Sequence, residues 1–179
     1  LSSFPLIDTS SVIEIYSMFN NVTELTTLPL LDFSSVTTGR YSLAGCSGIT
    51  SLPAFNLSSA GNLQGFASNA TSLASLPAFT FTSTLGRIDQ GFKGCSSLAD
   101  VPANLFDNCI GLGGIAFNNT FSNCALTAQS IENILTSLDT NGATGITRGI
   151  NGHTNAGKTT WSAAAVTAYD NLIVKGWTI

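Results

Sequence analysis

Five prolines, the only ones in the 179-residue chain, recur at a nearly constant interval. They are Pro5, Pro29, Pro53, Pro77 and Pro102, so successive spacings are 24, 24, 24 and 25 residues. A fixed period in this range is typical of repeat architectures, in which each unit buries its apolar residues against its neighbours. The period therefore predicts a short array of about five units of ~24 residues each.

Apolar residues stand at fixed offsets from these prolines. In "LPAFNL", which starts at Leu52, they lie directly before the proline and two and four residues after it. This period of two predicts a short β-strand around each proline. Proline cannot donate a ladder hydrogen bond, so we expect it at a strand end or a bend. The apolar positions predicted to form the core include Phe4, Leu28, Leu52, Leu76 and Val101; Leu25, Ile49, Leu73 and Leu98; Leu31, Phe55 and Phe79; and Phe19, Leu43, Phe66, Phe92 and Phe121.

Two cysteines share one position of the repeat. Cys46 and Cys95 each lie seven residues before a proline, where other units have Val22 and Ala70. Small apolar residues occupy the same place, so a buried, free thiol is expected there. Cys124 occupies the related place in the last unit, and a disulfide between Cys95 and Cys124 remains an alternative. No C-x-x-C pair is present, which argues against a zinc site.

Three segments carry a resemblance to a known repeat. "LAGCSGITSLP" from Leu43, "FKGCSSLADVP" from Phe92 and "FSNCAL" from Phe121 resemble the BspA-type, or Treponema-type, leucine-rich repeat. The resemblance covers about residues 4–126 and implies a leucine-rich-repeat solenoid. Such repeats occur in bacterial surface proteins and in bacteriophage virion proteins. The chain departs from the pattern where Val22 and Ala70 replace cysteine, and the insert "GLGG" stretches one unit.

Beyond Leu126 the period ends and helical patterns begin. "TAQSIENILTSLDTNG" predicts an amphipathic helix with Thr127 as its N-cap and Asn141-Gly142 at its C-terminus. "GITRGING" predicts a short strand and "WTI" a final one. Between them "TTWSAAAVTAYDNLIVKG" predicts a second helix that ends at Lys175 and Gly176. Its buried face is predicted to comprise Trp161, Ala165, Ala168, Leu172 and Ile173. This order also resembles the C-terminal ends of some phage tail-fibre-like proteins.

The stretch "GHTNAGKT" from Gly152 fits the phosphate-loop pattern G-x-x-x-x-G-K-[ST]. A nucleotide site also requires a parallel sheet beneath the loop and a carboxylate for Mg²⁺. Only 20 residues follow Thr159, and their one acid, Asp170, falls inside the predicted helix. Gly157 is better explained as a loop residue, with Thr159 or Thr160 as a helix cap. We therefore expect no nucleotide binding through Lys158.

Other signals for catalysis or nucleic-acid binding are weak. His153 is the only histidine, and the carboxylates of Asp89, Asp100 and Asp107 are expected on a solvated flank. Charged residues make up only 9% of the chain and the net charge is −4, which argues against a nucleic-acid partner. No apolar run approaches the ~20 residues that a membrane-spanning helix requires. We expect a protein that is not an enzyme, with no cofactor, no metal site and no membrane insertion.

One polar residue of each unit stands just before the inward residue that precedes proline. Neighbours on an extended chain point to opposite faces, so these side chains should form one exposed row. A row of hydroxyl groups with little charge suits a glycan or a polar protein surface, although an ordinary solvated face is the alternative. The predicted binding residues are Thr27, Ser51, Ser75 and Asp100.

The first unit has little sequence before it that could cover its apolar residues. Phe4, Ile7 and Val12 are therefore expected to face water. We expect either an upstream domain before Leu1 in a longer gene product, or a partner chain on this unit. That partner would be a copy of the protein or another virion protein.

Together these patterns predict an α+β fold: a short leucine-rich-repeat solenoid at residues 1–126, capped by a helix-strand-helix-strand region at 127–179. The predicted function is a structural or adhesive phage virion protein, such as a tail-fibre tip or a capsid-decorating component. The alternative is a bacterial cell-surface adhesin. The expected partners are other virion proteins, copies of the chain, or a glycan or protein receptor on the host surface. The expected location is the virion, or otherwise the cell surface.

Overall fold

The computed structural model describes residues 2–112, 115–142, 144 and 155–178. Its helices are α1 (Ala128–Thr140), a 3-10 helix (Lys158–Thr160) and α2 (Ala163–Val174). The described residues before α1 form turns and isolated bridges, with no β-strand among them. No helix in the described ranges is long and apolar enough to cross a membrane.

The predicted α+β leucine-rich-repeat solenoid is wrong, because the described residues contain no strands. The chain bends directly after the prolines: the N–H of Phe55 donates to the carbonyl of Pro53 (2.8 Å), and that of Phe79 to Pro77 (2.9 Å). Each three-residue turn uses the N–H of the phenylalanine, which a β-ladder would need, and proline itself has no N–H to donate. Of the strands predicted in the tail, residues 145–152 lie outside the described part, and Thr178 forms only an isolated bridge.

Instead of strands, single backbone hydrogen bonds join each repeat unit to the next. In one set, alternate N–H groups donate forward: Ile15 to Thr38 (3.0 Å), then Gly39 to Asn62, Leu63 to Arg87 and Ile88 to Ala116 in later units. In another set the later unit donates backward, as Thr26 does to Ser2 (2.9 Å). The accepting residues Thr38, Asn62, Arg87 and Ala116 are 24, 25 and 29 residues apart, and the last interval accommodates the "GLGG" insert.

Each unit has two residues in the left-handed region of φ, which the sequence analysis did not predict. The second of these positions alternates between asparagine and glycine: Asn21, Gly45, Asn69, Gly94 and Asn123. A Cβ atom on Gly45 would lie 2.2 Å from Asn21 Oδ1, and one on Gly94 would lie 2.3 Å from Asn69 Oδ1. The asparagine side chain of one unit therefore needs a glycine beneath it in the next unit.

The apolar positions predicted from the repeat do form the core. Every one of them is buried except Phe4, which is partly buried and packs edge-on against Phe19 with ring centroids 4.9 Å apart. The hydrogen-bond register places Ala67, not Phe66, in the position of Leu43 and Phe92. Both Ala67 and Phe66 are buried, so this difference does not alter the core.

The first helix matches its prediction closely. Thr127 is the N-cap and its hydroxyl accepts a hydrogen bond from the Ser130 N–H (3.2 Å). Asn141 is the C-cap, and Gly142 follows with φ +74°. The second helix starts later than predicted, because Ser162 is the N-cap while Thr159 and Thr160 lie in the 3-10 helix.

The buried face of α2 is also narrower than predicted. Ala165, Ala168 and Leu172 are buried, but Trp161 is only partly buried and Ile173 is exposed. Buried residues of both helices belong to the same continuous core as the repeat region. The division at residues 126 and 127 stays a prediction, although it coincides with the start of α1.

Polar side chains of the tail close the last repeat unit. Ser130 accepts a hydrogen bond from the Val101 N–H (2.9 Å) and donates to the Ala99 carbonyl (2.8 Å). Ser137 accepts from the Phe106 N–H (2.8 Å) and donates to Asp107. Further on, Asn155 accepts from Leu126 N–H and donates to the Phe121 carbonyl (both 3.0 Å); these backbone groups thus find partners without another repeat unit.

Candidate binding surfaces

The four residues predicted to bind lie at corresponding places of the repeat. Thr27, Ser51 and Asp100 are exposed and Ser75 is half-buried, while the residue after each of them is buried. Parallel bridges join Ser75 to Asp100 and Thr27 to Ser3. The structure therefore extends this row to Ser3, which the sequence analysis missed. Its signal was in the sequence, because Ser3 stands two residues before Pro5 as Thr27 does before Pro29.

The side chains of this polar row are available for hydrogen bonding. In the described part of the chain, none of the hydroxyl groups of Thr27, Ser51 and Ser75 has a partner, and neither has the Asp100 carboxylate. Three hydroxyl groups can each donate and accept, and the carboxylate accepts only. This set of groups can bind a polar ligand, but it lacks a pair of groups arranged for acid–base chemistry.

A second polar cluster surrounds Asp89, which is buried. Arg87 Nε donates to Asp89 Oδ1 (2.5 Å) and Nη2 to Oδ2 (3.2 Å), and Gln64 Nε2 also donates to Oδ2 (3.0 Å). The hydrogen bond to Asp89 raises the pKa of the Arg87 guanidinium. Arg40 lies 5.7 Å from the ring centroids of both Tyr16 and Tyr41. The Gln64 hydrogen bond joins the Arg87–Asp89 pair to the preceding unit.

The three acids considered for catalysis have three different environments. Asp89 is paired with Arg87, Asp107 accepts from Ser137, and Asp100 lies exposed in the polar row. Among the described residues, no three His, Cys, Asp or Glu side chains come together as metal ligands would. Asp89 and Asp107 therefore have structural partners within the fold.

Only the end of the phosphate-loop pattern is described, because Gly152 and His153 lie outside the described residues. Lys158 Nζ lies 3.8 Å from the ring centroid of Tyr169 and 3.8 Å from Asp170 Oδ1. Thr160 Oγ1 donates to the Gly157 carbonyl (2.8 Å). In this structure the lysine of the pattern thus packs on the side of α2.

The four cysteines are buried and none forms a disulfide, as predicted for Cys46 and Cys95, so Cys95 and Cys124 are not bonded to each other. Three thiols donate to carbonyl oxygens of the preceding unit: Cys46 to Phe19 (2.9 Å), Cys95 to Ala67 (3.1 Å) and Cys124 to Phe92 (3.2 Å). Burial raises the pKa of the Cys46 and Cys95 thiols, and raises that of Cys109 and Cys124 to about 12. The thiols remain protonated near neutral pH, so they are poor nucleophiles.

The N-terminal end of the repeat exposes apolar side chains. Ile7 is 46% exposed, whereas Leu31, Phe55 and Phe79 at the corresponding position are each at most 5% exposed. The expectation that Phe4, Ile7 and Val12 face water is correct only for Ile7, because Phe4 and Val12 are partly buried against the core. Four other exposed apolar residues of the first unit were missed, namely Leu6, Ile13, Tyr16 and Met18.

Comparison with known proteins identifies no relative. The chain matches no family model, no curated protein and no solved structure. The resemblance to BspA-type repeats therefore stays a prediction made from the sequence motifs.

Proposed function

We propose that the protein is a non-enzymatic binding protein with a structural or adhesive role in a phage particle, and that the polar row is its binding surface. The observation that carries this proposal is the alignment of unpartnered, mostly exposed polar side chains from successive units. The resemblance of "FKGCSSLADVP" and of the tail to virion proteins supports the location. A bacterial cell-surface adhesin is the alternative, which the same motifs support.

The chemistry of the row favours a neutral polar ligand. Hydroxyl groups of Thr27, Ser51 and Ser75 can donate to and accept from sugar hydroxyl groups, and Asp100 supplies one charged acceptor, which makes stronger hydrogen bonds than a neutral group. Their regular spacing suits an extended ligand that contacts several units at once. A glycan or a polar protein surface on the host fits this arrangement.

The state of the cysteines supports a role without covalent catalysis. A catalytic thiol requires a lowered pKa and access to substrate. All four thiols here are buried, and their pKa values are raised instead. They contribute to packing between units.

Bulky substitutions in the row test its binding role. Ser51→Trp and Thr27→Trp should abolish binding of the protein to host cells or to an arrayed glycan, because an indole would fill the space of the ligand. Thr71→Trp is the matched control, since Thr71 is exposed at a different position of the repeat. Equal binding by all three variants, with unchanged circular dichroism, would rule out the row as the binding surface.

The location requires a separate experiment. Mass spectrometry of purified phage particles should detect the protein at a stoichiometric level, and immunogold labelling should place it on the particle surface. Detection on bacterial cell envelopes and not on particles would favour the adhesin alternative.

A further inference from the structure

The charge of the chain is concentrated at the N-terminal end of the repeat. Residues 1–32 contain four acids, Asp8, Glu14, Glu24 and Asp32, and no lysine or arginine. The remaining residues contain six acids and six bases, so the first 32 account for the whole net charge of −4. All four acids are exposed, and none forms an ion pair within the described ranges.

The same end presents backbone acceptors at regular intervals. In the second unit the carbonyl oxygens of residues 38, 40, 42 and 44 accept hydrogen bonds from residues 15, 17, 19 and 21 of the first. The corresponding carbonyls of the first unit belong to Glu14, Tyr16, Met18 and Asn20. Within the described residues no N–H group donates to any of these four oxygens. The edge can therefore accept a further segment of backbone.

Apolar contacts are available beside these carbonyls. Tyr16 is 52% exposed and Met18 40%, whereas their counterparts in the third unit, Gln64 and Phe66, are buried. Ile7 and Ile13 lie exposed in the same unit. The surface thus combines unsatisfied acceptors, apolar side chains and negative charge.

From these three features we infer that the N-terminal end binds a basic, partly apolar segment of another protein, which pairs its N–H groups with the carbonyls of Glu14, Tyr16, Met18 and Asn20. Charge complementarity selects lysine and arginine in that segment, because acids and carbonyl oxygens both favour a cationic partner. This inference is independent of the polar row and of the proposed location.

A second copy of the chain is a poor occupant of this end. Pairing two N-terminal ends would bring the same four negative charges together. The other end of the repeat cannot serve either, because Ser130 and Ser137 of α1 already hold the backbone of the last unit.

Designed peptides provide the test. The probe is a blocked peptide with three repeats of Lys-Leu-Lys-Gly, in which glycine recurs every fourth residue like the left-handed positions Ser17 and Asn21. The first comparison peptide replaces lysine with glutamate, and the second replaces glycine with N-methylglycine, which removes N–H donors. Affinities are measured by fluorescence anisotropy with the 179-residue protein at low and high salt.

The basic peptide should bind at least about tenfold more tightly than the acidic one at low ionic strength, and salt should reduce this difference. The N-methylglycine peptide should bind at least about tenfold more weakly, because each of up to three lost hydrogen bonds contributes a factor of about five. Asp8→Asn combined with Glu14→Gln should lower the affinity of the protein for the basic peptide about threefold. Asp170→Asn, at an exposed acid in α2, should leave it unchanged.

Three results would overturn the inference. The first is no measurable binding of the basic peptide. The second is equal affinity of the protein for the basic and acidic peptides, or for the basic and N-methylglycine peptides. The third is a dimer in analytical ultracentrifugation that Ile13→Arg dissociates, because a second copy would then occupy this end. Glycan binding by the Asp8→Asn and Glu14→Gln protein should persist, so the polar row is tested separately.

Discussion

The two ends of the repeat region differ in how the edge of the terminal unit is covered. We call the C-terminal end closed and the N-terminal end open. At the C-terminal end, Ser130, Ser137 and Asn155 supply hydrogen bonds to backbone groups that a further unit would otherwise satisfy. At the N-terminal end, four carbonyls and several apolar side chains have no counterpart within the described residues. A repeat unit exposes both polar and apolar groups at its edge, so covering it requires a surface that carries both.

The difference explains an unusual feature of α1. A helix that packs on a core normally presents only apolar residues, yet serines 130 and 137 are buried among Ile131, Ile134 and Leu138. Buried hydroxyl groups are costly unless they are hydrogen-bonded. Here each one bonds to backbone of the last unit, so the buried face of α1 replaces a repeat unit chemically as well as sterically.

The largest expected difference between the ends is in the stability lost when a leucine is replaced by alanine. Leu126→Ala at the closed end should lower the free energy of unfolding by about 2–5 kcal/mol, because this side chain is 2% exposed and its loss leaves a cavity. Leu6→Ala at the open end should change it by less than about 0.5 kcal/mol, since Leu6 is 73% exposed. Urea denaturation measures both, and similar costs would show that another copy or segment covers the open end.

The serine hydrogen bonds should contribute next most. Ser137→Ala leaves the Phe106 N–H without its partner and should cost about 1–3 kcal/mol in denaturant unfolding. Thr140→Ala, at an exposed position of the same helix, is the control and should have little effect. If both variants unfold at the same urea concentration, polar closure by α1 does not stabilise the repeat.

A glycine substitution tests how firmly the first unit is held. Gly45→Ala should cost about 1–2 kcal/mol, because φ is +72° and the new Cβ would meet Asn21 of the first unit. Adding Asn21→Gly should recover part of this loss, whereas Gly157→Ala, with open space around it, should be nearly neutral. Thermal unfolding measures these effects. If Asn21→Gly recovers none of the stability lost in Gly45→Ala, the first unit already moves away from the second.

Thiol labelling should reveal the smallest difference. The Cys46 thiol donates a hydrogen bond to the Phe19 carbonyl of the first unit, at the open end. The Cys124 thiol donates to the Phe92 carbonyl, near the closed end. At neutral pH both should react far more slowly than in the unfolded protein, because burial raises the pKa of each thiol. Cys46 should still react about tenfold faster, since local opening begins at the less stable end. Faster labelling of Cys124, read by mass spectrometry of peptides, would reverse the comparison.

Several features could be predicted from the sequence, because they follow from short-range chemistry. The proline period and the spacing of Leu25, Ile49 and Leu73 identified the core correctly. The Thr127 cap followed from the residues beside it, and the common position of Cys46, Ala70 and Cys95 indicated a buried thiol. Each inference needs only the size, polarity and periodicity of side chains. The polar row was likewise located by counting from proline, although its role in binding stays a prediction.

The prediction of strands failed for a reason that lies outside these patterns. Alternation around Pro53 and Pro77 indicates which side chains face inward, but the N–H groups of Phe55 and Phe79 bond to the proline carbonyls. An alternating pattern is compatible with a ladder or with a series of tight turns. The choice depends on the backbone groups that the neighbouring unit presents.

The sequence by itself thus determined which residues are buried, where α1 begins and ends, and which cysteines share a position, because burial of apolar side chains and helix capping are encoded locally. Only the tertiary structure decided the direction of the hydrogen bonds between units and the left-handed conformations of Asn21 and Asn69. It also decided the use of Ser130 and Ser137 as partners for distant backbone. The hydrogen bonds among these features join residues 23 to 31 positions apart, and a backbone donor has the same chemistry whatever its sequence. Its partner is therefore known only when the units lie side by side.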